Sequence, residues 1–126
     1  MLKDCDSSAI VAVRDLAAAR EFYAGTLGLE LEGDGGGAVL AFRTGKTRLI
    51  VYPSAHAGTN RANAAVWSCG DRIDAIVAGL EAKGVTFEHY PELEGMHIEG
   101  NVHVAGAMKA VWLKDPDGNI LHLNNM

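Results

Sequence analysis

The chain has little cysteine. Cys5 and Cys69 are its only two, and they form neither a CxxC pair nor a zinc-like spacing. A chain of 126 residues can bury a core without disulfides or a structural metal. The thiols are therefore read as reduced, as in a cytoplasmic protein. Cys69 lies in an apolar run and reads as a small buried hydrophobe. Positive charge is also scarce, with 11 Lys and Arg against 16 Asp and Glu, for a net charge of −5. The basic residues are scattered without a run, so neither nucleic acid nor an anionic membrane is expected as a partner. No apolar stretch approaches the length of a bilayer span. No apolar segment follows Lys3, so no secretory leader is expected. What is present is 48% apolar sequence, normal for a globular protein, in a length that suits a single domain over residues 1–126.

Within that length one plan is used twice. A first stretch runs from Ala9 to Pro53 and a second from Asn63 to the C-terminus, with 54–62 as a polar linker. Each opens on a short apolar run, then places an aspartate, Asp15 or Asp71, before an amphipathic helical stretch. Each has a glycine thirteen positions after that aspartate, Gly28 or Gly84, and resumes with strand-like sequence. Internal repetition dictates architecture, here two copies of a strand–helix–strands unit.

Ala9 to Val13 is rich in β-branched residues and reads as a strand. Asp15 is a candidate helix cap, and Leu16, Ala19, Phe22 and Tyr23 recur at helical spacing. Gly25 and Gly28 stop that helix. Leu29 to Glu32 is an edge strand and 33–37 a tight glycine turn. Ala38 to Arg43 and Thr47 to Tyr52 form a hairpin. In the second copy Ala64 to Cys69 is a strand. Asp71 is expected to cap a helix with Ile73, Ile76, Val77 and Leu80 inward, and Val85 to His89 is a strand. Pro91 to Ala107 shows no clear period and reads as a long loop, a candidate lid. Met108 to Leu113, a turn at 115–119, and Ile120 to Asn124 close the chain. The glycines at 33 and 35 match part of a dinucleotide fingerprint, but strand-like sequence follows where a helix is required. The Asp115–Gly118 run resembles part of a calcium loop, but lacks the downstream bidentate glutamate.

Three groups of residues carry a resemblance. Val13-Arg14-Asp15-Leu16, followed by Phe22-Tyr23 and Leu27-Gly28-Leu29, resembles the opening signature of the vicinal oxygen chelate superfamily. This is the group of glyoxalases, bleomycin-resistance proteins and extradiol dioxygenases. Asp115-Pro116-Asp117-Gly118-Asn119-Ile120 resembles its closing signature. The linker, Tyr52-Pro53-Ser54 through Gly58-Thr59-Asn60, is similar to that of small members. The resemblance covers nearly the whole chain and implies an α+β fold. Its two βαβββ modules would form paired half-barrels around a cleft, usually in a homodimer.

Enzymes of that superfamily hold a divalent metal through His, Gln or Glu on the first and last strands of each module. Carried over by motif, those positions fall at Ser8, at Ala64 or Ala65, at Val51 or Tyr52, and at His122. Only His122 ligates well, so no metal cofactor is expected. Fe, Ni, Mn or Zn is the minority case, for instance if the long loop brought His97 or His103 to His122 with Glu92, Glu94 or Glu99. Without a metal, His122 is either a general base poised near neutral pH or a polar residue of a cavity wall. The remaining histidines, among them His56 and His89, read as surface residues.

Period-two alternation assigns faces. With Val11 and Val13 on the helix side, Ile10 and Ala12 face the cleft. With His122 in the cleft, so is Ile120, and Leu121 and Leu123 turn to the helix. Tyr52, Phe42, Trp67 and Trp112 add the aromatic surface that a planar organic ligand needs, core or dimer-interface packing of these rings being the alternative. The candidate cleft is thus Ile10, Tyr52, Trp67, His103, Trp112, Ile120 and His122, with His122 the one candidate catalytic residue. The function expected is binding of an organic metabolite or antibiotic. The alternative is a metal-dependent or His122-assisted lyase, isomerase or dioxygenase. A third possibility is a pair of modules that chiefly dimerise.

Overall fold

A computed structural model describes all of residues 1–126. The chain divides into two compact units, Met1–Ala57 and Gly58–Met126. The mixed α+β class expected from the sequence is the one observed, with two helices and two sheets.

In the first unit β1 (Ala9–Val13) leads into helix α1 (Leu16–Arg20). Asp15 caps it, its Oδ1 accepting from the N–H groups of Ala17 at 2.8 Å and Ala18 at 3.3 Å. The helix then widens into a π-helical turn over Glu21–Thr26, which ends before Gly28 at φ +73°. Tyr23 on this turn is buried against Phe42. Strands β2 (Glu30–Gly33), β3 (Leu40–Thr44) and β4 (Thr47–Pro53) complete a sheet of order β1-β4-β3-β2, with β1 parallel to β4. The glycine-rich run between β2 and β3 is a short 3₁₀ turn, Gly35–Gly37, and not the start of a helix. Val11, Val13, Leu40, Phe42, Leu49 and Val51 alternate along their strands and are buried on one face. Each such side chain contributes about 1.5–3 kcal/mol by leaving water. The other face carries Ile10, Ile50 and Ala41 in one register row and Ala12 beside Tyr52 in the next.

In the second unit β5 (Asn63–Ser68) runs to a 3₁₀ turn, Gly70–Arg72, and helix α2 (Ile73–Ala82). Asp71 does not cap this helix as expected. The chain turns one residue early, at Gly70 with φ +59°, which leaves Asp71 inside the 3₁₀ turn and starts α2 after Arg72 without a side-chain cap. Asp71 can still favour the positive end of the helix dipole. Ile73, Val77 and Leu80 form the buried stripe, and Ile76 is half-buried.

The segment expected to be a long loop also differs. After β6 (Phe87–Glu88), strands β7 (His97–Glu99) and β8 (Val102–Ala105) form a hairpin inside it. The turn is Gly100-Asn101, with Gly100 at φ +63°, a two-residue hairpin signal that the absent long-range period concealed. Strands β9 (Met108–Lys114) and β10 (Ile120–Asn124) close the sheet in the order β5-β10-β9-β8-β7. The short β6 pairs with the far end of β9, at Leu113 and Trp112. Phe87, Val111, Leu113, Leu121 and Leu123 are buried on the face toward α2, where Lys109 reaches Asp74 of the helix at 2.5 Å. No helix in the chain is long and apolar enough to cross a membrane.

Candidate functional site

The opposite face of the second sheet gathers the unusual chemistry. Residues directly paired across strands share a face. One register row runs Val66, His122, Trp112 and Glu88 across β5, β10, β9 and β6. The neighbouring row holds Asn124, Ala110 and His103. The indole of Trp112 stacks on the His122 ring, centroids 4.6 Å apart and planes 28° apart. His103 meets Trp112 edge-on at 4.8 Å, and Tyr90 does so at 5.4 Å. Packed in this way Trp112 is only 9% exposed and His103 not at all. The indole N–H of Trp112 donates to Oδ1 of Asn63 at 3.1 Å.

Hydrogen bonds decide the tautomers of both histidines. Oδ1 of Asn124 accepts from the N–H of Met126 at 3.1 Å, so its amide nitrogen is the end turned to Nε2 of His122, 3.2 Å away. His122 Nε2 is therefore an acceptor, and the neutral ring carries its proton on Nδ1. Likewise Nε2 of His103 accepts from the backbone N–H of Tyr90 at 2.9 Å, which puts that ring's proton on Nδ1 as well. Neither Nδ1 makes a hydrogen bond, and both are buried. The backbone at Ala110 and at Val111 lies close enough to favour the protonated rings slightly. Burial outweighs this and holds both histidines below their ordinary value of 6.5, with His89 adding to the effect at His103. Both rings are thus neutral at pH 7. Burial also raises the Tyr90 hydroxyl, helped by Glu88, which itself holds Lys114 at 2.8 Å.

Of the residues expected in a cleft, His103, Trp112 and His122 come together here, with Ile120 half-buried on the same face one step along β10. Trp67 does not join them. It pairs with Leu123 and so stands on the helix side of the sheet. Ile10 and Tyr52 belong to the first unit, where Ile10 is 59% exposed and Tyr52 half-buried, while Phe42 is fully buried on the other face of that sheet against Tyr23. Sequence reasoning missed Tyr90, Asn63 and Asn124. The first lies outside any strand, and the asparagines show their roles only through strand register.

The positions carried over from the superfamily's metal site offer few donors. Ala64, Ala65 and Val51 offer no ligand atom, Ser8 and Tyr52 offer hydroxyls, and the Nε2 of His122 is already engaged by Asn124. Nowhere do three or more His, Cys, Asp or Glu side chains assemble into a group that could hold an ion. His97 is paired with Glu99 instead, at 2.9 Å. Without a freed nitrogen lone pair, His122 offers a stacking surface and a buried N–H, not a ready base.

The fold recurs in solved structures. A lactoylglutathione lyase from Agrobacterium tumefaciens aligns with a TM-score of 0.70 and 20% identity, over 98% of this chain and 95% of that one. A glyoxalase family protein from Enterococcus faecalis gives a TM-score of 0.68 and 18% identity, over 98% and 99%. The fosfomycin resistance protein FosX from Mesorhizobium loti gives 0.67 and 13%, over 98% and 92%. At these identities the likeness is one of fold. Among curated proteins none matches the chain. The sequence profile of the Glyoxalase/Bleomycin resistance protein/Dioxygenase superfamily matches residues 7–123, nearly the full length and both signature ends. On that match, and on the two-sheet fold that accompanies it, the chain belongs to the glyoxalase/bleomycin resistance/dioxygenase superfamily.

Proposed function

We propose that this protein binds a small organic molecule, an aromatic metabolite or antibiotic, at the face of its second sheet that carries Trp112 and His122. One observation carries the reading. A stacked indole–imidazole pair stands on that face beside Val66, an apolar side chain left 59% exposed. Large flat surfaces with a few fixed polar groups are what such ligands need. Asn124 and Tyr90 keep the rings oriented and neutral, so the surface is preorganised. The reading places the protein in the cytoplasm as a homodimer. Ile10 and Val66, exposed on the outermost strands of their sheets, supply apolar surface that a second copy would cover. A sedimentation profile of a monomer at micromolar concentration would remove that part of the proposal.

A screen of aromatic metabolites and antibiotics by thermal shift tests the binding itself, since a ligand that binds only the native state raises Tm. The expected result is at least one compound that raises Tm and moves the Trp112 indole signal in NMR. No shift across a broad library would refute it. The competing reading is a lyase, isomerase or dioxygenase using His122. It is favoured by the imidazole being neutral at pH 7, but it needs Asn124 to release Nε2 first. Stoichiometric Fe, Ni, Mn or Zn in protein purified without chelator, lost in His122→Ala, would decide for that reading.

A further inference from the structure

After Glu88 the chain leaves the sheet, and His103 ties it back at Tyr90. The N–H of Tyr90 donates to Nε2 of the fully buried His103 at 2.9 Å, while the Tyr90 ring lies edge-on against Trp112. An imidazole accepts at Nε2 only while that nitrogen keeps its lone pair. A proton added to His103 would set N–H against N–H at this contact. It would also leave a buried cation with no carboxylate bonded to either nitrogen.

The preceding residue is tied differently. Nδ2 of Asn101 donates to Glu81 at 2.7 Å, so its Oδ1 is the acceptor facing Nε2 of His89 at 2.9 Å. His89 is the donor there, so that tie uses a ring N–H and no imidazole lone pair. The segment is therefore held at one residue through a ring N–H and at the next through a ring lone pair. We propose that residues 89–93 form a strap over Trp112, hinged at His89, held shut by neutral His103 and released when that ring takes up a proton.

The charges around His103 support release. On the strap, His89 stands 6.4 Å away and disfavours a cation, and Glu92 opposes it more weakly. On β7, Ile98 is the residue facing His103, while His97 and Glu99 pair with each other on the other face. On β9, Lys109 is turned away to Asp74. On β10, His122 lies beyond Trp112. The strap needs no ligand to act, so its test stands apart from the binding proposal.

NMR on the labelled full chain between about pH 8 and 5 reads three signals: the His103 ring, hydrogen exchange at the Tyr90 amide, and the Trp112 indole N–H. Below the ordinary histidine value of 6.5 the opening constant at Tyr90 should grow about tenfold per pH unit, the mark of one proton taken up per opening. The Trp112 signal should move with it. His103→Gln, whose amide oxygen accepts without titrating, should hold Tyr90 protected throughout. If that variant does not fold, co-titration of Tyr90 and His103 in the unmodified chain decides. Protection of Tyr90 that persists while His103 protonates overturns the strap. So does equal opening in folded His103→Gln, or unfolding of the whole chain before Tyr90 opens.

Discussion

Replacing Gly58 by alanine tests how the second unit holds its site. Gly58 adopts φ +79°, and a Cβ built there would lie 2.4 Å from the carbonyl oxygen of Asp117. That oxygen cannot retreat easily. Asp117 sits in the 115–119 turn, where Oδ1 of buried Asp115 accepts from the N–H groups of Asp117 and Asn119 at 2.9 Å each. Its Oδ2 takes the Asn119 amide at 2.8 Å, and Gly118 N–H closes the turn on the Asp115 carbonyl at 3.0 Å. A Cβ in left-handed backbone costs about 1–2 kcal/mol. Forcing packed backbone apart costs about 1–3 kcal/mol more. Gly58→Ala should therefore lose about 2–5 kcal/mol. Gly106→Ala is the control. Its φ is +59° with nothing within 4 Å of the added carbon, so only the conformational cost of about 1–2 kcal/mol applies. Urea unfolding of both, with unchanged m-values, measures the difference. Equal losses would show that the Asp117 carbonyl yields freely and that the 115–119 turn is not rigid. Because β10 carries His122, the Gly58 variant should also shift the His122 ring signal, and the control should not.

The same turn predicts that Asp115→Ala costs about 2–4 kcal/mol in urea unfolding, because three donors lose a charged acceptor in a buried place. Trp112→Phe keeps a ring but drops the bond to Asn63. It should lose about 1–2 kcal/mol of stability and abolish the thermal shift of any compound found to bind. Stability should depend on pH with a definite sign. His103 and His122 are held below 6.5 in the folded chain, so the unfolded chain binds their protons more readily. Unfolding free energy should be fully present above 6.5 and decline as pH falls from there toward their lowered values. A flat profile over that window in urea melts would contradict the burial assigned to both rings.

Much of this was legible in the sequence where the physics is local. The Asp15 cap, the buried spacing of Ala19 and Tyr23, the alternation of β1 and β10 and the turn at 115–119 follow from side chains that act within a few residues. The closing motif singles out His122, and Trp112 reads only as an aromatic in a strand. Trp67 stands on the helix face because its orientation is set by pairing with Leu123, and residue type alone cannot tell the two faces apart when one residue of register exchanges them. Asp71 looked like a cap by type and position, but positive φ at Gly70 moved the helix start past it. His103 was named, yet its partner Tyr90 was not, because a backbone N–H bonded thirteen residues away leaves no trace in residue type.

The two copies differ in what their sheets carry. Equivalent rows can be read from register alone. In the first sheet the row across the open face is Ile10, Ile50 and Ala41, and in the second it is Val66, His122 and Trp112. That face of the first sheet holds aliphatic side chains and Tyr52, and the second sheet's holds a stacked indole–imidazole pair. Buried rings with unpaired N–H groups cost stability, and an aliphatic row like that of the first copy shows the fold can do without them. A cost carried in one copy alone, together with an asparagine placed to hold His122 and a backbone contact to hold His103, is hard to explain as packing. It is explained if the second sheet is where the ligand is received.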